Sequence, residues 1–401
     1  MSHHASPPLW RSTPAMVLLL VQFLVSIRDV PLGSFLVLYL QNQSYTPATI
    51  SQVVASAQVA GMLAALIGGW LATRMGIKSL FVLGLVITAA NGFVFQSANL
   101  GLVVLLWAIG GAGGALATIA GSSLLTQLGR HGQLGLLSGL FILSTTASGA
   151  IGHPAASALI QIYGYPVFAL IGQGFVMLAA LVVWRWWVSE LAETPTQTKG
   201  TLDMRMIRPW PVQLIIIMRT LATINYGMML VLVPLRLNEL TGDMNLVASY
   251  GSASLVVAAI GQYLAGHAAD RWGGLWPSLI SFAVVVIAGV AIFVAADQVW
   301  VLFVAGVVSI AAAWALSTMM FIWVSDRVPQ ADHAPLFGLL YAVWSVSMVI
   351  GSLAGGWLVE MQPGLPFGVL GLSNLLGIVL IVQFYRTSSE LVHDNQVSRL
   401  S

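Results

Sequence analysis

Arg28 and Asp29 stand side by side inside an apolar run that extends from Ala15 to Leu40. They lie about 20 Å along a helix that starts at Ala15, at 1.5 Å per residue. A charge held at mid-bilayer costs about 3 kcal/mol on insertion scales. Asp29 shares a helical face with Gln22, Ser26 and Gly33, a polar stripe that reads as the wall of a cavity. A carboxylate there can exchange a proton or hold a substrate group, which makes Asp29 the first candidate for either role. Neighbours on a helix point about 100° apart, so Arg28 need not neutralise Asp29. The competing reading is a buried pair that only fixes packing.

Further candidates lie in other apolar runs. Arg219 shares a face with Thr223 and Tyr226, whereas Asn225 points elsewhere. Arg219 is about two turns past Pro211, so substrate contact competes with snorkelling to the interface. Arg236, near a helix end, suits an interfacial anchor. His153 follows Thr146 and Gly149 on one face and could relay a proton near neutral pH or sit neutral and hydrogen-bonded. Trp314, Tyr341 and Trp344 fall mid-run, where they either stack a ligand or pack, whereas Trp184, Trp186 and Trp187 suit an interface belt. The run Gly110, Gly111, Gly113 and Gly114 resembles a phosphate fingerprint only superficially. With Ala117 and Gly121 it has the small-residue spacing of close helix packing.

The elements that carry these residues follow from composition. With 58% hydrophobic and 7% charged residues, the chain cannot solvate a globular surface. Apolar stretches of about 20 residues recur between brief polar or Gly/Pro breaks and predict twelve spans. These run near 15–40, 48–72, 79–97, 101–126, 134–160, 166–188, 211–238, 246–269, 277–296, 300–325, 336–360 and 366–386. Backbone groups in lipid must be satisfied internally, so runs of this length are helices. The fold class is an all-α membrane protein.

Cations set the orientation. Arg11, Arg74, Lys78, Arg130, Arg185, Lys199, Arg205, Arg208, Arg271, Arg327, Arg386 and Arg399 fall on one side, placing both termini in the cytoplasm of a multi-pass protein, as in a bacterial inner membrane. The opposite loops hold Glu239, Asp243 and Asp297. The net charge of +2 then reflects topology and gives no reason to propose nucleic acid. Arg11 and the run from Ala15 imitate a secretion signal, but no small-residue cleavage site follows, so an uncleaved first helix is expected. The absence of cysteine excludes disulfides and thiolate chemistry. No metal motif or cofactor motif is found, and His3 and His4 are too few for an affinity tag.

A phrase occurs twice: Gly69, Leu71, Ala72, Arg74 and Gly76, then Gly266, Ala269, Asp270, Arg271 and Gly273, with the glycines 197 positions apart (266 − 69). Leu38 and Leu40 pair with Leu235 and Leu237 at that offset. A polar, Pro-containing stretch near the midpoint predicts an N-terminal bundle at 1–188, a cytoplasmic linker at 189–210 and a C-terminal bundle with tail at 211–401. Two six-helix bundles in parallel repeat is the economical architecture.

The phrase between the second and third helices of each half resembles Gly-x-Leu-Ala-Asp-Arg-x-Gly, the signature of the major facilitator superfamily, and the resemblance covers essentially the whole chain. The pattern is nearest to bacterial drug or metabolite:proton antiporters. The resemblance implies alternating access, with two bundles rocking about a mid-membrane cavity. It also implies a small-molecule substrate moved by a proton, ion or substrate gradient, with a proton the favoured choice, contact with membrane lipids and action as a monomer. Several positions depart from the family pattern. Thr73 stands at the acidic position of the first copy and Ile77 at a usual basic one. His153 interrupts a Gly-Pro pattern at Gly149, Gly152 and Pro154, and the fourth helix has Trp107 near the place of an arginine found in some members.

The phrase is either a plain positive-inside turn or a cytoplasmic latch, in which an acidic residue, kept only in the second copy as Asp270, anchors Arg74 and Lys78, or Arg271, when that side closes. Proton-coupled efflux of amphipathic, drug-like compounds suits a cavity with few charges and several aromatics. Uptake of a sugar or organic anion is the alternative, drawing on Arg28 and Arg219. A membrane sensor is more remote. An enzyme would need a catalytic cluster, and neither a His-Glu-x-x-His nor a Gly-x-Ser-x-Gly motif is found.

Overall fold

The structure, a computed structural model, describes residues 13–128, 134–186, 207–328 and 333–397. Arg11, Arg130, Lys199, Arg205, Arg399, His3, His4, Trp187 and most of the 189–210 linker lie outside the described residues. Twelve helices follow in order among the described residues: α1 Thr13–Asn42, α2 Pro47–Met75, α3 Ile77–Thr88, α4 Leu100–Leu128, α5 Leu134–Tyr163 and α6 Tyr165–Trp186. The second half gives α7 Trp210–Thr241, α8 Met244–Trp272, α9 Leu275–Val294, α10 Val299–Arg327, α11 His333–Met361 and α12 Leu365–Val397. The described residues contain no strand.

Eleven described spans are long and apolar enough to cross a membrane, and α5 is not among them. Its Ser144, Thr145, Thr146 and Ser148 return their hydroxyls to carbonyls three or four residues back. Such bonds satisfy polar side chains without leaving the helix. The third span changes form at Thr88, whose hydroxyl donates to Gly84 O at 2.8 Å, and continues as a 3-10 segment, Ala89–Gln96. Back-bonding of this kind bends helices.

The glycine run of α4 is an approach surface. A Cβ at Gly111 would lie 2.6 Å from Ala57 Cα on α2, and one at Gly113 would lie 2.7 Å from Gly84 O on α3. Only glycine lets these backbones meet. Leu18, Leu80, Ala120, Val176 and Val183 form one apolar core, and Ile215, Phe282, Met319, Trp323 and Ile381 form another. Trp323 is fully buried, and its indole N–H donates to Ser278 Oγ at 3.1 Å.

Over the described residues the contacts cluster in two units. One takes in residues 1–45, 52–197 and 243–256, the other 46–51, 198–242 and 257–401. The start of α8 thus belongs with the first unit and the start of α2 with the second. Within the first unit, Ser157 Oγ and Gln161 Nε2 on α5 donate to Asn245 Oδ1 on α8 at 2.9 and 2.8 Å. Ser252 on α8 donates to Ala150 O at 2.8 Å. That carbonyl would normally accept from residue 154, which is Pro154 and has no N–H, so Ser252 supplies the bond that the proline removes. Within the second unit, the Ala48 backbone N–H donates to Glu360 Oε1 at 3.1 Å.

Candidate functional site

The helices place the candidates in distinct settings. On α1, Arg28 and Asp29 form an ion pair through Nη1 and Oδ1. Arg28 is 1% exposed and Asp29 31%. The chain neighbours meet because the arginine stem turns into a notch on α6: a Cβ at Gly172 would collide with Arg28 Cγ. Nη1 takes the carboxylate, while Nε and Nη2 are buried without an acceptor. A guanidinium carries five N–H groups, so most of its donor capacity is idle. The Gln22 amide on the same stripe donates to Ser26 Oγ at 3.0 Å and to Thr145 Oγ1 on α5 at 2.8 Å. Part of the polar stripe is therefore engaged with a neighbouring helix.

His153 is 2% exposed. Its Nδ1 lies 2.8 Å from Gly149 O, a carbonyl that only accepts, which assigns the proton to Nδ1. Nε2 then accepts from Ser34 Oγ at 3.4 Å. Phe35 packs against the ring at 6.5 Å between centroids, and Gly251 of α8 lies over it.

On α7, Arg219 Nη1 donates to Ser317 Oγ of α10 at 2.6 Å, and its Nε is buried without an acceptor. Tyr226 meets Trp314 edge to face, with centroids 6.0 Å apart. Asn225 is fully buried and donates to Ser309 Oγ at 3.0 Å. Tyr341 and Trp344 on α11 stack at 5.6 Å between centroids. Arg219, Tyr226 and Trp314 thus share the seam between α7 and α10. Arg236, near the other end of α7, pairs with Glu239 at 2.7 Å and also with Asp297. Trp107 is buried and donates to Val54 O at 3.4 Å.

The repeated phrase forms the α2–α3 and α8–α9 turns. Gly76 and Gly273 both take a positive φ, 79° and 75°, which a side chain would strain. Gly69 and Gly266 face open space. The Arg74 guanidinium lies over the Trp70 ring at 4.3 Å, and Thr73 donates to Trp70 O at 2.8 Å. Among the described residues no ion pair involves Arg74, Lys78, Asp270 or Arg271.

Sequence reasoning missed Ser317, Ser34, Gly251 and Asn245, which are unremarkable by type and gain meaning only through the helix opposite. Pro154 was a usable signal, since a proline in a span announces a carbonyl in need of a donor. An apolar groove lined by Ile287, Ala291, Trp300, Val304 and Val308 contains no candidate residue and no titratable group. The described residues hold no cluster of His, Cys, Asp or Glu suited to a metal.

The chain is similar to known proteins. The tetracycline resistance protein of class H from Pasteurella multocida is 24% identical over 184 residues, 44% of each chain. The class C protein from Escherichia coli is 28% identical over 175 residues, 42% of this chain and 43% of the relative. The chain thus matches less than half the length of these curated relatives. A crystal structure of the nucleoside transporter NupG superposes with a TM-score of 0.75 at 16% identity, covering 93% of this chain and 99% of that one. At that identity the likeness concerns the fold. The profile of the Major Facilitator Superfamily matches residues 18–239 and 215–399, nearly the whole chain. With its helical repeats and duplicated turn phrase, the chain belongs to the Major Facilitator Superfamily.

Proposed function

We propose that this transporter moves a small organic molecule by alternating access and that it exports amphipathic compounds in exchange for protons. The observation that carries this reading is the Arg28–Asp29 pair. A charge pair inside a span is expensive to keep and marks function by default. Asp29 is partly exposed while Arg28 is sealed, and of the two only the carboxylate can change charge, since a guanidinium stays protonated. Protonation would leave Arg28 with no anion and with buried donors already idle. That imbalance favours a different helix arrangement, which is how a proton gradient can drive one. The partial match to tetracycline resistance proteins supports export.

The bundles at 1–188 and 211–401 are the proposed moving parts, acting in a single chain with the termini in the cytoplasm. The starts of α2 and α8 are their exchangeable contacts.

The test uses the purified full chain in liposomes with an imposed pH gradient and a mixed panel of metabolites and drug-like compounds. Gradient-dependent accumulation of at least one compound is expected, lost in Asp29→Asn. Accumulation indifferent to the pH gradient would remove the proton, and inertness toward the whole panel would overturn the export reading.

A further inference from the structure

Among the described side chains of its own half, Arg219 has no anion within the apolar interior of the spans. Glu239, Asp270, Asp326 and Glu360 lie in the last turn or so of their helices, and Asp243 and Asp297 lie between helices. Arg219 is nine residues past Trp210, about 14 Å along α7. The interior carboxylate of the first half, Asp29, is already bound to Arg28. A desolvated cation in this position is costly unless something negative visits it.

The geometry around Arg219 suits a visiting oxyanion. Ser317 Oγ donates to Ala313 O at 3.2 Å, which turns its lone pairs toward Arg219 and fixes one arm of the guanidinium. Nε is buried and unpartnered. A planar fork with a free edge matches the two oxygens of a carboxylate better than any neutral group does. Tyr226 lies seven residues along the same helix, about 10 Å away along the axis, with Trp314 against it. One α7–α10 seam therefore carries a fork for an anion and, two turns on, an apolar aromatic surface.

We infer that this seam binds the anionic end of an amphipathic organic acid, with Arg219 holding the oxyanion, Ser317 orienting the guanidinium and the Tyr226–Trp314 pair receiving the apolar body. The inference rests on the transporter reading and narrows its substrate class. The same oxyanion chemistry exists in lipid phosphate, so the experiment separates dissolved acid from headgroup.

Binding is measured by calorimetry on the purified full chain in zwitterionic-lipid nanodiscs. The probes are matched pairs of an aromatic carboxylate and its neutral amide, such as 2-naphthoate and 2-naphthamide, across several ring sizes. At least one acid is expected to bind tenfold or more tightly than its amide. Arg219→Gln should erase that preference, Arg219→Lys should keep part of it, and Ser317→Ala should weaken it several-fold. Arg236→Gln, at the far end of α7, should leave it intact, and melting curves check that each variant is folded.

The absence of any acid preference in the unaltered protein, or its survival in Arg219→Gln, would overturn the inference. Thermal stabilisation by phosphatidylglycerol that depends on Arg219, with no acid preference, would assign the fork to lipid and also overturn it. Transport of a neutral or cationic compound without acid preference sinks this inference and leaves the transporter reading standing. Acid binding without any movement in liposomes does the reverse.

Discussion

The imidazole of His153 fills the notch left by the missing side chain of Gly251: a Cβ at Gly251 would lie 2.8 Å from His153 Cγ and closer still to the ring edge. Gly251→Ala should force α8 away from α5 at an overpacking cost of about 1 to 3 kcal/mol. Removing the ring as well, in His153→Ala with Gly251→Ala, should recover most of that loss. Thermal melts of the two single variants and the double give the coupling directly. Additive effects would mean that the two residues do not meet.

Asp29→Asn should destabilise as well as uncouple, because it strands a buried guanidinium, at a cost of about 3 to 5 kcal/mol for breaking a buried pair from one side. Arg28→Met combined with Asp29→Asn removes both charges and should melt near the unaltered protein. Gradient-driven transport should stay absent in this well-folded double variant. If transport returns with the stability, the pair serves packing alone.

Asp270 makes no ion pair here among the described residues, so a latch through it requires another arrangement of the helices. Asp270→Asn should raise labelling of cysteines introduced near the cytoplasmic end of the cavity, and Thr73→Asp should lower it by supplying an anion beside Arg74. The chain has no native thiol to interfere. Equal labelling in both variants would remove the latch.

The two glycines of each turn phrase should behave differently. Gly76→Ala puts a side chain at φ 79° and ψ 156°, a region used almost only by glycine, and Gly273→Ala puts one at φ 75°; each should cost about 1 to 3 kcal/mol. Gly69→Ala and Gly266→Ala lie inside α2 and α8 and meet no atom of another segment within 4 Å, so they should raise stability by about 0.5 to 1 kcal/mol. Chemical denaturation in detergent would rank the four variants.

Spans and family were legible because each has a signal repeated along the chain: apolar length and a phrase written twice. Contacts across helices were not. That Arg28 would bond its own neighbour depends on the notch at Gly172, 144 positions later (172 − 28), which no local pattern announces. Likewise Arg219 could be read as snorkelling from its distance to Pro211. The structure places its Nη1 on Ser317 of another helix, a contact no local pattern announces. The glycine run of α4 was legible as packing since small-residue spacing is itself the signal.

The bonds that α8 brings to α5 have a consequence in the order of synthesis. Ser157 leaves the ribosome 88 residues before Asn245, its acceptor, and Ala150 emerges 102 residues before Ser252. At about 5 to 20 residues per second, the carbonyl freed by Pro154 waits roughly 5 to 20 seconds in the nascent membrane domain for its donor. An N-terminal half made alone never receives that donor and should be cleared by membrane quality control, whereas co-production of the second half as a separate chain should rescue it.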